Sequence, residues 1–428
     1  MSEISSEEII FNRYLVVLGA LVIQLCLGSI YAWSIFQASL KDVPYEWDEL
    51  FTQLPFSTGL ASFAVVMVIA GRWQDKIGPT KVASLGGILL GTGYMLAFLV
   101  DPLFGDSEPI FGFMWLMVTY GVISGAGIGL AYVCPIASLV KWFPDIKGLI
   151  TGIAVAGFGA GALIFAQAET ILIDINNDEV GLAFLVLGII YLILVVVSAQ
   201  LLRNPPEGWL PAGYTPPEHQ TESQIGKDYE WQEMMRTPQF WLLWTMFIFG
   251  AAAGLMTIGN VKSFVQDQNT SIDAAMAATI VGLLSICNAA GRIVWGAVSD
   301  RIGRIYTLII MFSILGVTMV IYGNVTELIF LTLGAMVIGF CFGGNFALFP
   351  STTADYFGSK NVGQNYGIVF TAYGVAGVSA GFIAGFIVDT TDSYLLAFIL
   401  MGVLVFIAVA LAVFAEFINR QEEASIPS

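Results

Sequence analysis

Charge is scarce in this sequence. Of 428 residues only 11% are Asp, Glu, Lys or Arg, against about 25% in a soluble globular protein. That is too little to coat a water-facing surface of this size, so a soluble globular fold is excluded. Histidine occurs once, as His219 in a polar stretch, where a solvated loop residue is expected. No catalytic triad, phosphate-cradling glycine loop or metal cluster can be assembled. Enzymes and nucleotide-driven pumps are therefore excluded, and no cofactor is expected. The four cysteines, Cys26, Cys134, Cys287 and Cys341, fall inside apolar runs without ligand spacing, which suits small packing residues. Basic residues are outnumbered 16 to 32, for a net charge of −16, and such a chain does not bind nucleic acid through phosphate contacts. Met1–Arg13 lacks the basic region and cleavage site of a signal peptide, so the first helix is expected to stay in the mature protein.

What is abundant is apolar sequence, 57% of the chain. Runs long enough to cross about 30 Å of hydrocarbon as helices recur throughout. Stretches such as Leu182–Val197 are apolar on every side, which rules out the alternating pattern of a transmembrane barrel. Spans are expected at 14–40, 54–71, 82–100, 111–138, 148–173, 180–202, 238–260, 273–297, 305–323, 328–354, 363–388 and 393–418. With both termini cytoplasmic, 13 of the 16 basic residues lie on the cytoplasmic side; Lys41 and Lys262 lie outside and Arg292 within a span. Asp101, Asp106 and Glu108 share an outer loop. The expected fold class is an all-α, multi-pass membrane protein with twelve transmembrane helices in the lipid bilayer.

The two halves repeat. Gly71, Asp75, Ile77 and Gly78 recur as Gly296, Asp300, Ile302 and Gly303, at an offset of 225. Pro135, Gly148, Gly152 and Gly159 recur as Pro350, Gly363, Gly367 and Gly374, at an offset of 215. Such a repeat is expected of a transporter built from two six-helix bundles that bind substrate between them. The bundles are assigned to 1–203 and 238–428, joined by a cytoplasmic loop at 204–237.

Arg292 is the one charge deep in a span. It lies eight residues before Asp300, about 12 Å from the inner helix end. An arginine there costs at least about 2.5 kcal/mol and faces a cavity or a partner. No aspartate or glutamate lies at comparable depth; Glu169 and Glu416 are near helix ends. A guanidinium without a fixed counter-ion suits an anionic substrate, because it matches carboxylate geometry bidentately. The competing reading is snorkelling to the inner headgroups, or bonding to helix-end carbonyls. Asn288 lies one turn away on the same face. The repeat brings Phe158 and Tyr373 to one central cavity, with Tyr132 and Asn345 near Pro135 and Pro350, and Tyr31 as a further donor. For each of these five, ordinary core packing competes with substrate contact. Asp75 and Asp300 end helices where a carboxylate can accept from a neighbouring helix N-terminus. Arg72, Lys76, Arg301 and Arg304 are the candidate cations; the competing reading is anchoring at the headgroups.

The glycine–aspartate–basic–glycine pattern resembles the signature loop of the major facilitator superfamily. Lys141–Gly148, Thr151–Gly159, Asn288–Arg292, Phe342–Phe346 and Tyr366–Ala372 resemble its oxalate/formate antiporter branch, which is related to the monocarboxylate porters. The resemblance implies a major facilitator fold, a latch of the two bundles at Asp75 and Asp300, and an arginine of helix eight holding the carboxylate. Oxalate-carrying members present Thr-Ala-Lys-Gly where this chain has Thr371-Ala372-Tyr373-Gly374, so a monocarboxylate is favoured over oxalate. The function expected is secondary active transport of a small monocarboxylate (lactate, pyruvate, acetate or formate type) with a proton, by alternating access, in the plasma membrane and as a monomer. Carboxylate exchange and a non-transporting membrane ligand sensor are the alternatives.

Overall fold

A computed structural model describes residues 12–41, 45–47, 49–104, 109–176, 179–206, 209–211, 228–391 and 393–424. His219, Asp106 and Glu108 lie outside the described residues. All regular structure among the described residues is helical, and eleven helices are long and apolar enough to cross a membrane. In the first half these are α1 (Arg13–Lys41), α2 (Glu49–Ile77), α3 (Pro79–Ala97), α4 (Pro109–Trp142), α5 (Lys147–Ile175) and α6 (Gly181–Ala199). In the second half come α7 (Pro238–Gln268), α8 (Ala274–Ile302), α9 (Arg304–Tyr322) and α10 (Leu328–Phe357). The expected span 363–388 is present as α11, in two pieces (Val362–Val369 and Thr371–Thr391) that break at Phe370; it is not among the eleven. The last is α12 (Leu395–Ala424). Large apolar side chains such as Val65, Ile175, Ile193 and Val378 point outward, which suits lipid and would be a liability in water.

The helix ends have local causes. Pro79 at the first position and the Thr237 cap, which accepts from Phe240 N at 3.2 Å, start α3 and α7. Asp273 caps α8 by accepting from Met276 N at 2.8 Å. The helices α2, α8 and α10 stop at Gly78, Gly303 and Gly358, whose φ values are 89°, 91° and 82°; a side chain is strained there. The signature pattern therefore lies mostly in helix: Gly71–Ile77 and Gly296–Ile302 are the last turns of α2 and α8, and only the final glycine turns the chain. The expected spans ended earlier, at 71 and 297, short of Asp75 and Asp300.

Two helices depart from regular winding. In α1, residues Gly28–Ala32 wind as a 3₁₀ turn, and in α4 residues Met117–Ser124 form a π-helical stretch. Between the two halves, α5 packs along α8, and α2 along the first piece of α11. Glycine permits both contacts. A Cβ on Gly152 would sit 2.1 Å from the Arg292 carbonyl oxygen, and one on Gly71 would sit 2.1 Å from that of Gly363.

Candidate substrate site

The side chain of Arg292 projects from α8 into the seam with α5. It is 2% exposed and among the largest buried side chains of the protein. Its Nε donates to Asn288 Oδ1 at 3.1 Å, one turn back, as the helical spacing predicts. One Nη donates at 2.6 Å to the carbonyl oxygen of Val155, on α5 of the other half. Cζ stands 4.5 Å above the ring of Phe346 on α10, a cation–π contact. These partners are dipoles and a ring face, so they solvate the charge without cancelling it. No carboxylate pairs with Arg292 among the described residues. A guanidinium has five N–H donors, and the described hydrogen bonds occupy two of them. Beside it Gly159 leaves room: a Cβ there would reach Cζ at 3.6 Å.

Aromatic rings from both halves surround this charge. Phe158 meets Tyr31 edge-on at 5.2 Å and Tyr132 at 5.2 Å. The Tyr31 hydroxyl lies 3.4 Å from that of Tyr373, joining α1 to α11. Tyr373 in turn packs on Phe346 at 5.4 Å and on Phe370 at 5.1 Å. A guanidinium set among apolar rings attracts an anion strongly, because screening there is weak. Of the expected residues, the structure brings together Arg292, Asn288, Tyr31, Tyr132, Phe158 and Tyr373. It sets Asn345 apart. That side chain is fully buried and donates to Phe342 O of its own helix at 3.0 Å, and its Oδ1 faces Gly250 of α7.

At one end of the molecule the two halves are tied by matching contacts. Asp75 accepts from Gln364 N at 2.8 Å and Gly363 N at 3.4 Å, at the start of α11. Asp300 accepts from Gly148 N at 2.8 Å and Leu149 N at 2.7 Å, at the start of α5. Each carboxylate thus satisfies orphan donors of a helix N-terminus in the opposite half. The cations are only partly those expected. Arg304 pairs with Asp300 at 2.6 Å, but Asp75 is paired by Lys141 at 3.3 Å. Arg72, Lys76 and Arg301 are exposed and make no ion pair with either aspartate among the described residues. Arg72 and Lys76 line a groove of about 400 Å³ with Trp73, Trp231 and Gln364. A further cross-link, Lys147 to Asp355 at 2.6 Å, also engages Arg304 at 2.7 Å.

Sequence reading did not single out Val155, Phe346, Phe370, Lys141, Lys147 or Asp355. Five of these six lie inside stretches that carried the family resemblance, which was the signal available; of those five Val155 acts through its backbone, and Asp355 had no signal.

Known proteins resemble this chain in sequence and in fold. The Major Facilitator Superfamily profile matches residues 15–271 and 259–427. The chain is 33% identical over 373 residues to an uncharacterized MFS-type transporter, YhjX, of Escherichia coli (strain K12), covering 86% of each. It is 30% identical over 415 residues to the oxalate:formate antiporter of Oxalobacter formigenes, covering 96% of this chain and 93% of that one. In fold it is similar to the proton:xylose symporter XylE, with a TM-score of 0.68 at 14% identity, covering 96% of each chain. Helical fold, matched profile and relatives coincide: the chain is a transporter, not an enzyme, and it belongs to the Major Facilitator Superfamily.

Proposed function

We propose that this chain is a secondary transporter of a small monocarboxylate, of the lactate, pyruvate, acetate or formate type, coupled to a proton. The observation that carries the reading is Arg292, a buried guanidinium without a carboxylate partner among the described residues. One cation suits one carboxylate, and Phe158, Phe346 and Tyr373 suit a short apolar tail. The apicoplast pyruvate carrier 1 of Toxoplasma gondii, 28% identical over 362 residues, supports the substrate class. The architecture we assign is twelve spans in two six-helix bundles, 1–203 and 238–428, with a cytoplasmic loop at 204–237 and both termini cytoplasmic. It is a monomer in the cell membrane. Asp75 and Asp300 latch the cytoplasmic side, and alternating access consists of releasing that latch while the outer side closes.

Exchange of one carboxylate for another is the second reading, favoured by the similarity to the oxalate:formate antiporter. Uptake of radiolabelled L-lactate into proteoliposomes separates the two. Uptake driven by an inward proton gradient supports symport, and uptake only after preloading with a carboxylate supports exchange. Transport of lactate in neither mode contradicts the substrate assignment.

A further inference from the structure

A second buried ionisable group lies away from Arg292. Glu169 on α5 is fully buried, and neither carboxyl oxygen has a hydrogen-bond partner among the described residues. It is eleven residues beyond Phe158, about 16 Å along the helix. Sequence reading placed it near a helix end; the structure encloses it among the helices of the first half.

The groups within its electrostatic reach are hydroxyls. Tyr94 comes from α3, Tyr120 from α4 and Tyr191 from α6. Their rings form one cluster, with Tyr94 at 5.3 Å from Tyr120 and 5.0 Å from Tyr191. From α1, Ser29 lies beside Tyr94 and Tyr191, and Cys26 near Tyr191. Among the described residues the Tyr120 and Tyr191 hydroxyls also have no assigned hydrogen-bond partner. No charged side chain from these helices faces Glu169 among the described residues. An ionised carboxylate without partner or counter-ion is too costly in such a place. The closed packing observed is therefore that of the neutral acid.

The pocket is joined to the substrate site through α1. The 3₁₀ turn Gly28–Ala32 carries Ser29 on the Glu169 side and Tyr31 on the Arg292 side. It is pressed against α5 between the two sites. A Cβ on Gly28 would lie 1.9 Å from the Phe158 carbonyl oxygen, and one on Gly161 would lie 2.2 Å from that of Leu25. The π-helical stretch of α4 supplies Tyr120 on another side; such irregularities recur at functional sites.

We infer that Glu169 is the carboxyl that binds the co-transported proton. The inference rests on the proposed carboxylate–proton symport and names the group that the reading lacks. One proton adds to the Glu169 carboxylate, and one substrate carboxylate binds at Arg292. Each site is then neutral, so both can close. The 3₁₀ turn lets one closure depend on the other. When the carrier opens to the opposite side, substrate leaves Arg292 and the proton leaves Glu169, giving one proton per carboxylate.

The test uses full-length protein in proteoliposomes, comparing wild type with Glu169→Gln, which keeps the neutral shape of the protonated acid. Two uptake modes of labelled L-lactate are measured, counterflow against internal lactate and accumulation driven by an inward proton gradient. The variant is expected to keep counterflow and to lose gradient-driven accumulation by tenfold or more. Accumulation at the wild-type level in Glu169→Gln overturns the inference, as does wild-type transport that ignores the gradient. Infrared difference spectra between acid and alkaline protein give a readout independent of substrate. A protonated-carboxyl band that disappears on alkalinisation in wild type and is missing from Glu169→Gln supports Glu169 as a proton site, even if lactate proves to be the wrong substrate. A band unchanged in the variant overturns it.

Discussion

Replacing Gly296 by alanine should force open the latch proposed at Asp75 and Asp300. Gly296 on α8 faces Gly148 on α5, and a Cβ added to it would lie 2.2 Å from the Gly148 carbonyl oxygen. The obstacle is backbone, so no rotamer change relieves it. Ordinary contact begins at about 3.4 Å, so the helices must part by more than about 1 Å. The Asp300 bonds to Gly148 N and Leu149 N, 2.8 and 2.7 Å long, cannot survive that displacement. Hydrogen bonds to a charged group contribute about 1.5–3 kcal/mol each. Losing both removes about 3–6 kcal/mol from the closed state, a shift of roughly 10²- to 10⁴-fold toward the inward-open one. Once the helices have parted, alanine fits without strain and favours helix, so the fold should survive. The assay is the distance between spin labels at Lys76 and Lys360, exposed positions in the two halves at this end. The expected result is a longer distance that dominates in Gly296→Ala and is minor in the parent protein. Identical distance distributions would mean that the two ends stay together with alanine at this position.

Two further outcomes are expected. Tyr373 lies within electrostatic reach of Arg292, so Tyr373→Lys adds a second cation to the site. At an effective dielectric of about 20, a cation a few ångströms from the substrate's second carboxylate contributes about 2–4 kcal/mol. Oxalate should then compete with labelled lactate at least tenfold better than against wild type, measured as inhibition of uptake. Asp355 binds both Lys147 and Arg304, whereas Lys147 has Asp355 alone as its ion-pair partner among the described residues. Asp355→Asn should therefore lower thermal stability in detergent more than Lys147→Met, by about 1–3 kcal/mol against about 1 kcal/mol or less. Equal losses would contradict that ordering.

The spans and the Arg292–Asn288 contact were legible because they depend on local spacing: apolar runs set the first, and an i, i+4 relation on one helix face sets the second. The repeat exposed Asp75 and Asp300 for the same reason, since each stands three residues before a glycine that must turn with positive φ. What stayed hidden depends on which helices become neighbours. Val155 reaches Arg292 through its backbone, which no side-chain pattern marks. Lys141 approaches Asp75 from a different helix, while the nearer charges Arg72 and Lys76 point outward. Asn345 was expected at the cavity because of Pro350, but its rotation about α10 turns it toward Gly250. Glu169 does stand near the end of α5, six residues before Ile175; its burial stayed hidden because it comes from the helices around it.

The proposed role of Arg292 is to hold the substrate carboxylate. The most direct measurement is equilibrium binding of labelled L-lactate to purified wild type, Arg292→Lys and Arg292→Gln. Lysine keeps the charge but loses the planar fork, and glutamine removes the charge. The expected result is saturable binding to wild type, weakening of about tenfold or more in Arg292→Lys, and none in Arg292→Gln. Equal affinity of wild type and Arg292→Gln would contradict it.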